Sequence, residues 1–146
     1  YRGFLELVAH EYFHLWNVKR LRPAALGPFK YDQENYTHML WVAEGFTAYY
    51  DNLLVYRAGR QPKEGFLAAQ ASSQALLDNQ PGNRVQPVSE SSWDAWIKSY
   101  RPSENSRNVE ISYYPKGAQM ATIFDAQIAA HSGGKQNLDD LMRHLY

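Results

Sequence analysis

The chain has no cysteine among its 146 residues, which excludes a disulfide framework, a thiolate metal site and a cysteine nucleophile. This absence leaves the compartment open, since exported proteins also do without cysteine, and cytoplasmic and periplasmic locations are both compatible. An excess of one charge is missing too: 15 Lys and Arg stand against 15 Asp and Glu, a formal net charge of zero. Neutralising phosphates requires a basic surplus, so no nucleic-acid partner is expected. No run approaches the ~18–20 continuous apolar residues of a membrane span. There is no internal repeat, heptad array or low-complexity tract. The first residues do not read as a basic-then-apolar signal peptide. They run from Tyr1 straight into Phe4, Leu5, Leu7 and Val8, as in the middle of an amphipathic helix, so the chain is expected to be a piece of a larger protein.

What is present suffices for one core. Apolar residues make up 45% and aromatics 14%, and a chain of this length buries roughly 68–70% of its extended surface on folding. Apolar residues at Phe4, Leu7, Val8, Tyr12 and Leu15 follow helical spacing and predict a first helix over about residues 2–18. Two interleaved stripes, Trp41/Ala48/Val55 and Leu40/Ala43/Phe46/Tyr50/Leu53, predict a second, largely buried helix over 38–58, with Gly59 as its stop. A third starts with Pro62 in its first turn and runs to Leu77. The chain from Pro81 to Asn108 is polar and irregular, with one short helix around Ser92–Ser99. Such long excursions are often functional. Val109 to Ser112 reads as extended. Pro115 then starts a helix through Ala130 that Gly133-Gly134 closes, and Asn137 caps a last one over Leu138–Leu145. The expected class is mainly α.

His10-Glu11-Tyr12-Phe13-His14 is an H-E-x-x-H pattern inside the first helix. Residues four apart lie one turn along the same face, so both imidazoles reach a single ion, and zinc is a usual partner for such a pair. Glu11 would stand beside the metal's water as general base. Five residues with three fixed also recur by chance, so a third ligand is needed. Glu44 is an acid in the otherwise apolar Trp41-Val42-Ala43-Glu44-Gly45-Phe46-Thr47, where an unpaired carboxylate is costly. Zinc compensates it, and pairing with arginine or hydroxyls is the alternative.

Three blocks in order, His10-Glu11-Tyr12-Phe13-His14-Leu15-Trp16-Asn17-Val18-Lys19-Arg20-Leu21-Arg22-Pro23, Trp41 to Tyr50, and Ile111-Ser112-Tyr113-Tyr114-Pro115-Lys116-Gly117-Ala118, closely resemble the glycyl-aminopeptidase family of gluzincin metallopeptidases. The resemblance implies a thermolysin-like helical catalytic region spanning 1–146 as a single domain. The family's N-terminal β-rich domain and C-terminal PDZ domain are absent from these residues. It implies His10, His14 and Glu44 as zinc ligands and Glu11 as catalytic acid/base. Tyr114, two positions before Lys116-Gly117, is implied as a donor to the oxyanion of the tetrahedral intermediate. Ordinary aromatic packing of Tyr113 and Tyr114 is the alternative, and if Val109–Tyr114 is extended only one of the two hydroxyls faces the metal.

The chain departs from zinc peptidases that place an acid four residues after the third ligand to orient a histidine, because position 48 is Ala48. Thr47, Asn17 and Asp51 are the candidate substitutes, although Asp51, ~10 Å along the helix axis from Glu44, is rather far for a direct partner. Lys19, Arg20 and Arg22 either bind a substrate carboxylate or complement a helix end. The expected function is zinc-dependent hydrolysis of a peptide or protein substrate, as an aminopeptidase acting on N-terminal small residues. An endopeptidase with the same site and a non-catalytic metal-binding or interaction module are the alternatives.

Overall fold

The computed structural model describes residues 1–146 and is almost entirely helical, its only strand-like pairing an isolated bridge between Asn17 and Leu21. Eight α-helices follow one another: α1 (Arg2–Phe13), α2 (Leu40–Ala43), α3 (Gly45–Arg57), α4 (Lys63–Asp78), α5 (Val88–Trp93), α6 (Ser106–Val109), α7 (Tyr113–His131) and α8 (Leu138–Leu145). The mainly-α expectation is met.

Local chemistry sets the helix ends. Asn137 and Asp140 form a reciprocal capping box at the start of α8. The Ser112 hydroxyl accepts from Tyr114 N at the start of α7. After α7, Gly133 and Gly134 take φ of 63° and 78°, left-handed conformations that glycine adopts without steric penalty.

α3 is the central element, buried on most sides through Phe46, Thr47, Tyr49, Tyr50, Leu53 and Val55. Its neighbours α1, α7 and α8 complete one apolar cluster with Phe13, Ala121, Leu138 and Met142. Phe13 stacks on Tyr50 at 4.4 Å between ring centroids. α7 crosses the α2–α3 junction backbone to backbone. A Cβ on Gly117 would lie 2.3 Å from Trp41 O, and one on Gly45 2.4 Å from Gly117 Cα. Glycine at both positions is therefore a condition of the crossing, and it brings the start of α7 beside Glu44.

Several boundaries differ from the sequence expectations. The first helix stops at Phe13 rather than near 18, because the chain turns at His14 and passes through Val18 at φ 107°, an unfavourable conformation for a β-branched residue. Its apolar stripe faces outward: Phe4, Leu7, Val8, Tyr12 and Leu15 are exposed, and the inward face carries His10 and Phe13. The second helix is two, broken at Glu44. Pro62 is an extended residue immediately before α4, outside its first turn. The excursion after Pro81 is more ordered than its composition suggests, with α5, α6 and two short 3-10 turns. Tyr113 and Tyr114 are helical, the first two residues of α7, so the expectation that they arrive in an extended segment does not hold. Ser112 caps the helix three residues before Pro115, and proline is tolerated in that first turn because its missing N–H has no intrahelical partner there.

Candidate metal centre

Both histidines of the H-E-x-x-H pattern lie on the inward face of α1, His10 in its last turn and His14 at its cap, their rings edge to face at 4.7 Å. Glu44 enters from the break between α2 and α3. Its Oε2 lies 3.2 Å from Nε2 of His10 and 3.2 Å from Nε2 of His14, and all three ligand atoms fall within 4.8 Å of one another. Four ligands placed tetrahedrally at ~2.0–2.1 Å from zinc are ~3.3 Å apart, so the two separations from Glu44 to the histidines are close to the edge of a zinc tetrahedron. Two neutral imidazole nitrogens and one carboxylate oxygen are also a donor set that zinc accepts, so the residues present fit the ion.

Each ring nitrogen facing away from this point has its own partner. His10 Nδ1 is 3.1 Å from Asp51 Oδ2, and His14 Nδ1 is 3.0 Å from the Asn17 carbonyl. Both acceptors favour a proton on Nδ1, so that in the neutral imidazoles the Nε2 lone pairs are directed at the ligand cluster. The short turn after α1 supplies the second of these, and the Asn17 side chain fixes that turn. Its buried amide donates to Val42 O at 3.0 Å, Ala43 O at 2.9 Å and Thr47 Oγ1 at 3.1 Å, joining the turn to the break that carries Glu44. Thr47 itself donates to Ala43 O.

The electrostatics follow from this packing. The hydrogen bond to Asp51, then that to Glu44, raises His10 to about 9 against the opposition of burial. Glu44 raises His14 in the same way. Burial alone would raise Glu44, yet the two imidazoles hold it at about 2. Asp51 is raised, chiefly by burial, with His10 pulling the other way. Glu44 is thus an anion at every ordinary pH, paired with histidines rather than with arginine.

Glu11, next in sequence to His10, is solvent-exposed. Tyr114 stands over the centre, its ring centroid 6.3 Å from that of His10. Burial and the nearby Glu44 charge push its phenol up to about 12, so it keeps its proton and can donate. Tyr113 is not turned to the opposite face: the two rings stack at 4.7 Å with 28° between planes. Tyr113 is buried, and its hydroxyl is 3.2 Å from that of Tyr100.

Asp51 corrects the sequence estimate. The ~10 Å displacement separates it from Glu44, whereas its partner is His10 Nδ1, on the far edge of an imidazole that α1 lays against α3. The usable signal was the seven-residue spacing, two helical turns, which puts both acids on one face. Among the basic residues after the pattern, Arg20 donates to Leu15 O and Arg22 lies over the Phe29 ring. Of the remaining histidines, His38 stacks on Trp93 and His131 bonds Gln127 O.

The family model of M61 glycyl aminopeptidases matches residues 3–120. A solved structure, an aminopeptidase N family protein from Idiomarina loihiensis, is similar to 99% of this chain with a TM-score of 0.96 and 38% identity. The chain spans 25% of that protein's length. None of the curated proteins matches.

Proposed function

The chain belongs to the M61 glycyl aminopeptidase family, and from that premise we propose that it is the helical catalytic piece of a longer zinc-dependent aminopeptidase acting on small N-terminal residues. The observation that carries this is the convergence of His10, His14 and Glu44 at 3.2 Å separations, with both outer histidine nitrogens engaged.

His10, His14 and Glu44 would hold the ion. When bound, zinc supplies a Lewis acid for the scissile carbonyl and brings water's pKa toward ~7. Glu11 takes the proton from the attacking water and delivers it to the departing amine, so that the amine leaves neutral as the C–N bond breaks. Tyr114, a protonated phenol beside the centre, donates to the oxygen on which negative charge develops. Asp51 and the Asn17 carbonyl hold the imidazoles in the required tautomer, and the Asn17 amide keeps α1 and the α2–α3 break in register.

The test is hydrolysis of a glycyl peptide by the full-length protein and its Glu11→Gln variant, with zinc content measured in both. The variant is expected to retain zinc and to lose ~10²–10⁴-fold in kcat. Equal hydrolysis by both would remove the activity from this site. Blocking the peptide's amino terminus separates the two peptidase classes, since an aminopeptidase loses the substrate and an endopeptidase does not.

A further inference from the structure

The excursion between α4 and α7 carries exposed apolar side chains on a firmly held backbone. The Ser92 hydroxyl accepts from Trp41 N at 3.1 Å, three residues before Glu44, and the Ser91 hydroxyl donates to Ile111 O, two residues before Tyr113. A 3-10 turn over Asp94–Trp96 follows, with Ala95 buried and Tyr100 N donating to Ala95 O at 3.1 Å. From this turn Trp96, Ile97 and Tyr100 stand out at 45%, 57% and 64% exposure, the Trp96 and Tyr100 rings lying 6.2 Å apart. Single exposed apolar residues are ordinary, but an adjoining set beside a functional site marks a contact surface.

This ledge adjoins the metal centre. The Tyr100 hydroxyl is 3.2 Å from that of Tyr113, whose ring stacks on Tyr114 at 4.7 Å, and the Tyr114 ring is 6.3 Å from that of His10. The Tyr114 phenol is itself in hydrogen-bond contact with both Tyr113 and Tyr100. Steps of this size span a few residues of extended peptide, at ~3.3–3.6 Å each. An aminopeptidase places one substrate residue on the amino side of the scissile bond, so peptide lying that far from the metal belongs to the residues after it. A small N-terminal residue offers little side-chain area, and apolar contacts that strengthen binding have to come from those later residues.

Building on the proposed function, we infer that the ledge of Trp96, Ile97 and Tyr100 determines specificity on the leaving side of the scissile bond. It receives a bulky apolar side chain within ~3 residues of that bond. The substrate class is therefore peptides with a small first residue and an aromatic or large aliphatic residue shortly behind it. Two exposed rings on a fixed turn give such a side chain broad contact at low entropic cost, because the surface needs no ordering on binding. The contact is remote from the reacting atoms and is made in the ground state as well as the transition state, so its benefit falls on KM.

The test is hydrolysis by the full-length protein of amidated tetrapeptides: glycine followed by three alanines, and the same peptide with phenylalanine replacing each alanine in turn. One placement of phenylalanine is expected to raise kcat/KM roughly 10-fold through a lower KM. The double variant Trp96→Ala/Tyr100→Ala is expected to bring that ratio to within about twofold of unity, whereas Tyr100→Phe, which keeps the ring, preserves it. Each ratio is taken within one protein, so general damage cancels, and the wild-type series needs no variant at all. The absence of any phenylalanine preference in the wild type, or a preference that survives in the double variant, overturns the inference while glycyl hydrolysis stands. No release of glycine from any of the peptides by the zinc-loaded wild type would refute the proposed function and this inference with it.

Discussion

Replacing Asp51 by asparagine keeps the shape of the side chain and an acceptor for His10 Nδ1 but removes the charge, and its effect on zinc affinity should depend on pH. Two consequences oppose each other. Loss of a carboxylate partner to a metal-binding histidine lowers affinity ~10–100-fold. The same carboxylate is the main cause of His10's rise to about 9 in the metal-free chain. At pH 7 that imidazole must surrender a proton before it can bind, and with each pH unit below its pKa costing about tenfold, the wild type is held back by up to ~100-fold. Asparagine relieves much of this competition. The variant should therefore bind zinc ~10–100-fold more weakly than wild type at pH 9, with the gap narrowing to within about tenfold at pH 7. Competition against a chromophoric chelator at pH 7, 8 and 9 measures this difference directly, and contributions from His14, common to both proteins, cancel. An equal deficit at all three values, or none at pH 9, would refute the reasoning.

The metal-free chain should itself be pH-sensitive. His10's folded pKa lies above its ordinary 6.5, so its stabilisation is complete below that value and disappears as pH rises through about 9. Thermal melts of chelated protein should show a falling Tm across that window, and a flat profile would deny the His10 network its role. Gly117→Ala should be severe, because a Cβ there would stand 2.3 Å from Trp41 O and 2.8 Å from Gly45 Cα. Denaturant titration should show a loss of at least ~1–3 kcal/mol, the usual cost of overpacking, and an unchanged midpoint would disprove the close crossing. Asn17→Ala leaves buried carbonyls at the α2–α3 break short of a donor, at ~1–3 kcal/mol. Zinc affinity should fall with stability, whereas stability loss with unaltered affinity would show that Asn17 does not set the ligand geometry.

The sequence disclosed most where a single periodicity or motif sufficed. The His10–His14 spacing and the lone acid at Glu44 could be read directly, and the structure brings these three side chains together. The α8 cap at Asn137 and the glycine stop after α7 were equally legible, because both are local chemistry. The helix break at Glu44 was not: Leu40, Ala43 and Phe46 keep helical spacing through it, and what holds it is an amide 27 residues earlier, Asn17, a tertiary contact with no local trace. The same limit hid the Tyr113–Tyr114 stack. The β-branched and aromatic run before Pro115 resembles a strand, while the Ser112 cap and the glycine crossing at Gly117 make it the start of a helix. Tyr100 offered no pattern at all, being brought to the site by an excursion whose hydrogen bonds run through side chains. The apolar stripe of α1 located the helix correctly and its facing wrongly, since the inward side was given to the polar groups of the centre.

On the proposed function, hydrolysis depends on one zinc held by His10, His14 and Glu44. Its most direct test is to titrate zinc into chelator-stripped full-length protein while following hydrolysis of a glycyl peptide, alongside Glu44→Ala under the same conditions. Activity in the wild type should rise linearly and break at one zinc per chain, and the variant should remain inactive over that range. Hydrolysis that persists without zinc, or a Glu44→Ala variant that regains activity at the same stoichiometry, would contradict it.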